Sequence, residues 1–182
     1  MEKKLFLGGI GGQGVVYGGK MLGAAAVEHD HFATVYASYS PAMRNGFTYS
    51  TIIMSSEPVL APVTTLYDCM AFFDNASCET QSHLLKPGGI YVLNSALVHC
   101  QPHKKDEKII DIDASHLANQ LGSSKMLNII MLGAVLGATD MMNPEWMKEK
   151  IRKVFANKSK IAEANIQAFD TGYQIAKKQI KN

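Results

Sequence analysis

Eight of the sixteen residues from Gly8 to Gly23 are glycine. They follow the short apolar segment Lys3-Lys-Leu-Phe-Leu7 and run into an Ala-, Leu- and Met-rich stretch from Val15 to Glu28. A strand, a glycine turn and a helix is the reading this order supports. Within the cluster, Gly9-Ile-Gly11-Gly-Gln-Gly14 satisfies the spacing G-x-G-x-x-G between strand and helix, the context in which that spacing carries meaning. Such a turn lets a ligand approach the backbone, and the helix start offers free N–H groups and a partial positive charge to an anion. Two readings stand side by side: an anionic ligand or partner at the loop, or glycines that serve only close strand–helix packing.

The rest of the chain alternates in the same way. His31 to Ser38 and Tyr49 to Ser55 read as strands from their β-branched and aromatic content, with the loop Tyr39-Ser-Pro-Ala-Met-Arg-Asn-Gly46 between them. Pro58 and Pro62 bracket an extended connector. Thr64 to Phe73 reads as a helical turn around Asp68 followed by a short apolar run, and Ala76 to Leu85 as a helix closed by Lys86-Pro-Gly-Gly89. Ile90 to Leu93 and Lys108 to Ile112 are strand candidates. Asp113 is placed to cap a short helix ending at Gly122. Asn128 to Leu136 is an apolar helix whose Gly133 and Gly137 suit close packing against a sheet. Pro144 opens another helix, and Lys158 to Lys181 forms a last one with Ile161, Ala164, Ala168, Ile175 and Ala176 near one face. The expected fold is α/β: a three-layer Rossmann-like open sheet with helices on both faces, as one domain over residues 1–182.

Composition narrows the function. The chain has 182 residues, 47% of them apolar, enough to bury a core without disulfides or a structural metal. A net charge of +2 argues against a nucleic-acid binder acting through bulk charge. Cys69, Cys78 and Cys100 are odd in number and widely spaced, which suits a reducing cytoplasm and buried apolar thiols. No Cys-x-x-Cys pair occurs, so no local ligand set for an iron–sulfur cluster or zinc is expected. His83, His99, His103 and His116 are scattered without a helical i, i+4 pair, so a metal site is not expected. The glycines and Gln13 make a poor signal peptide of the N-terminus, and Met126 to Ala138 is too short to span a bilayer. A dinucleotide fold would carry an acid at the end of its second strand. Here that stretch is Thr34-Val-Tyr-Ala-Ser-Tyr39, which disfavours a stand-alone NAD(P)-binding oxidoreductase.

Gly11-Gly-Gln-Gly14-Val15 after a strand, followed by Ser38-Tyr-Ser-Pro-Ala-Met-Arg-Asn-Gly46, resembles the two signatures of the gamma subunit of 2-oxoacid:ferredoxin oxidoreductases. Ile52-Ile-Met-Ser-Ser-Glu-Pro58, Ala61-Pro62, Asp68, Lys86-Pro-Gly-Gly89, Asn94-Ser95, Asn128 and Leu132-Gly133-Ala134 continue the likeness in order. The second loop departs from the family's usual Ser-Tyr-Gly-Pro-Glu-x-Arg-Gly-Gly at Ser40, Ala42 and Asn45. Asn45 suits a left-handed turn nearly as well as Gly, whereas Ala42 removes a carboxylate. By resemblance, the complex oxidatively decarboxylates a 2-oxoacid, transfers the acyl group to coenzyme A and passes two electrons to ferredoxin. Thiamine diphosphate and magnesium then belong to alpha and beta subunits, and iron–sulfur clusters to a delta subunit or domain. This chain would bind none of them alone and would be a structural, coenzyme A-facing component of a cytoplasmic complex, with neither nucleic acid nor membrane as partner. The Arg-Asn-Gly and Asn-Ser signatures look closer to 2-oxoglutarate and branched-chain members than to pyruvate ones. A non-catalytic coenzyme A or nucleotide-binding module is the alternative.

The resemblance places Gly9, Gly11, Gly12, Gln13, Gly14, Ser38, Tyr39, Pro41, Arg44 and Gly46 on the surface facing coenzyme A or a partner, with no catalytic residue and no metal ligand. Arg44 offers a planar fork of donors to phosphates or a carboxylate, or else an ion pair to a partner or to Glu57. Tyr39 and Tyr49 are stacking platforms or packing, packing being the commoner fate. Met126, Met131, Met141, Met142 and Met147 suit either a partner surface or the core. From Lys148 to Asn182 there are nine Lys and Arg against three Asp and Glu: a solvated helix face, or a dock for an acidic partner such as ferredoxin.

Overall fold

Six strands form one sheet in the computed structural model, which describes residues 2–39, 46–100 and 106–181. The strands are β1 (Lys3–Ile10), β2 (Phe32–Tyr39), β3 (Phe47–Ser55), β4 (Tyr67–Phe72), β5 (Leu85–Asn94) and β6 (Lys108–Ile112). Their order across the sheet is β2-β3-β1-β4-β5-β6. From β1 to β6 the pairings are parallel, while β3 runs antiparallel to both β1 and β2. The helices are α1 (Val15–Val27), α2 (Asn75–Gln81), α3 (Ala114–Gln120), α4 (Leu127–Thr139), α5 (Pro144–Val154) and α6 (Ser159–Gln179). The α/β open sheet expected from the alternation is present, as a mixed sheet.

The two faces are unequally covered. Alternate residues of β1, such as Leu5 and Leu7, join Ile52, Ala71 and Val92 in a large core beneath α1, α3, α4, α5 and α6. On the other face Phe6, Met70, Phe72, Tyr91 and Leu93 make a smaller aromatic core with Cys78 and Val98. Phe6 stacks on Tyr49 with ring centroids 5.6 Å apart, so Tyr49 is a packing residue. Met131, Met142 and Met147 lie within the large core, which makes the methionine-rich stretch chiefly core filling.

Local signals placed most elements. Asp113 accepts from the His116 N–H at the start of α3, and Asn143 caps α5 just before Pro144. The reading of Thr64 to Phe73 as a helical turn and short run is corrected: Tyr67–Phe72 is a strand, paired in parallel with β1 and β5. A strand covered on both faces reads as a continuous apolar run, which periodicity does not distinguish from a short helix. On α6 the buried line is Ala162, Asn165, Ala168, Phe169, Gly172 and Ala176, and Ile161 is 43% exposed, so the face is rotated from the one expected.

The cysteine expectation is corrected in part. Cys69 is a buried free thiol, and burial pushes its pKa up, keeping it neutral. Cys78 and Cys100, however, are joined as a disulfide. Asn75 at the head of α2 accepts from the His99 and Cys100 N–H groups at 2.8 Å each. That clamp brings the segment after β5 onto α2, a meeting that spacing alone does not show.

The tightest packing is between α4 and α6. α4 is buried from Asn128 to Ala138, as expected for a helix apolar all round. Gly133 and Gly137 do face a close neighbour, but it is α6 and not the sheet. A Cβ at Gly133 would stand 2.0 Å from Phe169 O, and one at Gly172 would stand 1.9 Å from Ile130 O. The two helices therefore lie backbone to backbone. Part of the basic C-terminal segment is paired: Lys150 and Lys153 both hold Glu28, Lys148 holds Glu145 and Asp170, and Lys177 holds Asp140.

Two outcomes follow for stability. Gly172→Ala forces α4 and α6 apart and is expected to cost about 3 kcal/mol or more in urea denaturation. Gly11→Ala, which would meet nothing within 4 Å, is expected to change it by less than about 0.5 kcal/mol. The hydrogen bonds from Lys150 and Lys153 lower the Glu28 pKa from 4.5 to about 2. A depressed folded-state pKa makes this contribution full above the unfolded value and lost as pH falls from 4.5 towards 2. Glu28→Gln is expected to cost no more than about 1 kcal/mol at neutral pH. It should also flatten the acid limb of the stability curve in that window, and an unchanged limb would show that the triad contributes nothing.

Candidate functional site

β1, β2, β4, β5 and β6 all point their C-terminal ends to one edge of the sheet, and β3 begins there. The chain order reverses beside β1, which has β3 on one side and β4 on the other. Open α/β sheets bind ligands at the carboxyl ends of their strands, at such switch points. Both glycine loop and second loop reach this edge. The Gly11 N–H donates to Gly46 O at 3.1 Å, which ties the two signatures together. Ser38, near the end of β2, pairs across the ladder with Tyr49. Tyr39 ends β2. Pro41 and Arg44, with Ser40, Ala42, Asn45 and His103, lie outside the described residues.

The glycine loop divides its residues between display and support. Gly11 and Gly12 are exposed, and space beside both is open. Gly12 and Gly14 hold φ of 98° and 79°, the left-handed region that suits glycine. Gly9 is buried against Val15 and Phe73, so it serves packing. Gln13 is a strut: its Oε1 accepts from the Ile10 N–H at 2.9 Å, and its Nε2 donates to Phe73 O at 3.2 Å. The loop is thereby held to the end of β4 before any ligand arrives. Gly14 leads into α1 with no side-chain cap, so the helix start is open to an anion.

Two residues absent from the expected site belong to its frame. Asn94, fully buried at the end of β5, donates to Phe73 O at 3.4 Å and to Ser115 Oγ at 3.1 Å. The Phe73 carbonyl is thus the junction between the glycine loop, β4, β5 and α3. Asn128 sits against Gly14, where a Cβ would stand 2.6 Å from its Nδ2. Both are polar residues inside apolar runs, a signal visible in the sequence but without a role until the loop is placed beside them. Among the described residues, no three His, Cys, Asp or Glu side chains converge as a possible metal set. Nor is any described helix long and apolar enough to cross a membrane.

Comparison with known proteins gives a consistent result. The family described as pyruvate ferredoxin/flavodoxin oxidoreductase matches residues 4–175. The 2-oxoglutarate synthase subunit KorC of Methanocaldococcus jannaschii is 29% identical, the match covering 97% of this chain and 95% of that protein. The ketoisovalerate oxidoreductase subunit VorA of Methanothermobacter marburgensis is 28% identical over 99% of this chain, which spans 38% of VorA. Among solved structures, the keto/oxoacid ferredoxin oxidoreductase gamma subunit from Geobacter sulfurreducens superposes with a TM-score of 0.85 at 25% identity, covering 98% of both chains. The 2-oxoglutarate:ferredoxin oxidoreductase from Magnetococcus marinus, solved with 2-oxoglutarate, coenzyme A and succinyl-CoA bound, shares the fold. Its TM-score is 0.88 at 22% identity, with 97% of this chain and 31% of that one covered. Fold, loop pair and family match agree: the chain belongs to the pyruvate ferredoxin/flavodoxin oxidoreductase family and is a gamma-type subunit of a 2-oxoacid:ferredoxin oxidoreductase.

Proposed function

We propose that this subunit supplies part of the coenzyme A-binding surface of a complex that oxidatively decarboxylates a 2-oxoacid, 2-oxoglutarate being favoured, to acyl-coenzyme A and CO2. The observation that carries the reading is the joining of the two loops at the sheet's switch point, where the Gly11 N–H meets Gly46 O. Exposed Gly11 and Gly12 and the open start of α1 suit phosphate oxygens, and Gln13 holds them in place beforehand. Binding energy gained on the remote phosphates is of use in orienting the reactive thiol. Arg44, on the second loop, is assigned to the same anion.

The chemistry itself is assigned to partners in the cytoplasm. Alpha and beta subunits carry thiamine diphosphate and magnesium, a delta subunit carries the iron–sulfur clusters, and ferredoxin takes the electrons. Cys69, buried and held as a neutral thiol, is unsuited to electron or acyl transfer. The substrate preference is supported by the KorC relative and by the bound molecules of the Magnetococcus marinus enzyme. A stand-alone NAD(P)-dependent enzyme is disfavoured, since β2 ends in Ala37-Ser-Tyr39 without the acid that would hold a ribose.

Purified from its native source, the chain is expected in a complex containing thiamine diphosphate. In that complex Arg44→Ala should raise the KM for coenzyme A about tenfold, about 1.4 kcal/mol, with kcat for 2-oxoglutarate oxidation little changed. A lone 19.9 kDa species would overturn the assembly, and an unchanged KM would remove Arg44 from the coenzyme.

A further inference from the structure

The two edges of the sheet are finished differently. β6, at one edge, carries the charges of Lys108 and Asp111, and α6 closes its outer side. The Asp111 N–H donates to Gln179 Oε1 at 2.9 Å, and Gln179 Nε2 donates to Asp111 O at 2.8 Å. A side-chain amide thus stands where a further strand would pair. β2, at the opposite edge, has no such finish: Phe32-Ala-Thr-Val-Tyr-Ala-Ser-Tyr39 contains neither charge nor proline. Its ladder with β3 runs without a bulge, and among the described residues no strand pairs with its outer side. A long, uncharged, regular edge is a template for another strand, and proteins blunt such edges unless they are used.

The face beside this edge is also short of cover. The Tyr36 ring lies 6.1 Å from that of Tyr49 on the side of the smaller core, whereas Ala33 and Val35 pack against the larger one. α2, the helix on the smaller-core side, packs against β1 and β4. Phe32 and Tyr36 on β2 are left 45% and 54% exposed. Exposed rings flanking an open edge mark a contact surface.

What fits the edge follows from the strand's own sequence, which is symmetric in size about Val35. Antiparallel pairing of two copies about an axis through Val35 sets Ala33 opposite Ala37 on the larger-core face. On the other face it sets Thr34 opposite Tyr36 and Phe32 opposite Ser38. Each large ring then meets a small polar residue, and no like charges meet. A contact of this kind is isologous, and at about 3.4 Å per residue the paired strands run about 27 Å.

We infer that β2 pairs antiparallel with β2 of a second copy of this chain, joining two six-stranded sheets into one across a twofold axis. In the complex, two gamma-type subunits then sit side by side at this strand.

The test is sedimentation equilibrium of the full chain and of two double variants altered at the same two positions. The wild type is expected at twice the 19.9 kDa chain mass at micromolar concentration. Thr34→Lys with Tyr36→Lys opposes like charges across the axis and should weaken self-association about tenfold or more. Thr34→Lys with Tyr36→Glu opposes unlike charges at the same positions and should keep it within about threefold of wild type. Neither position is buried, and the two variants should melt within a few degrees of each other. Amide exchange of the wild type gives a second reading: β2 should be protected in the dimer and exchange faster on dilution. The inference is overturned if the wild-type chain is monomeric, or if the two variants associate equally. It is also overturned if β2 gains protection only on assembly with other subunits, a result that gives this edge to a strand of another chain.

Discussion

The backbone contact between α4 and α6 is the constraint on which the other arrangements depend. With Gly133 and Gly137 on one helix and Gly172 on the other, carbonyl oxygens occupy the space that side chains would take. α4 is pressed between the sheet and α6, and its start is delivered beside the glycine loop. The same contact sets the start of α6 across from it. Without that approach Asn128 would have no reason to lie against Gly14.

A second level of order is polar and local. The Phe73 carbonyl accepts from Gln13 and from Asn94, so the ends of β1, β4 and β5 are fastened at one point. Each bond contributes modestly, about 1 kcal/mol. Their combined effect is geometric, because a loop already held in shape spends less conformational entropy when a ligand arrives. This is the property that the coenzyme A-facing role proposed above calls for.

Legibility in the sequence followed the range of the forces involved. Strand–turn–helix at the N-terminus, the caps Asp113 and Asn143, and Pro144 at a helix start were readable, because each depends on neighbours a few residues away. β4 is not legible as a strand, since its apolar character answers to β1 and β5 on either side. The Cys78–Cys100 bond is not legible either, because Asn75 and α2 bring together residues 22 apart. Of the expected site, the glycine loop and Gly46 are brought together, Gln13 turns from a surface residue into a strut, and Gly9 into packing.

What the sequence by itself determined was the class of fold and the pair of loops, since glycine spacing, capping residues and alternation act locally. Which helix the glycines of α4 would meet, which face would stay thinly covered and where Asn128 would point were decided only by tertiary structure. The physical reason is that close backbone approach, buried polar pairing and cavity shape are properties of surfaces assembled from distant segments. A cavity lined from residue 12 to residue 165 has no counterpart in any local stretch of chain.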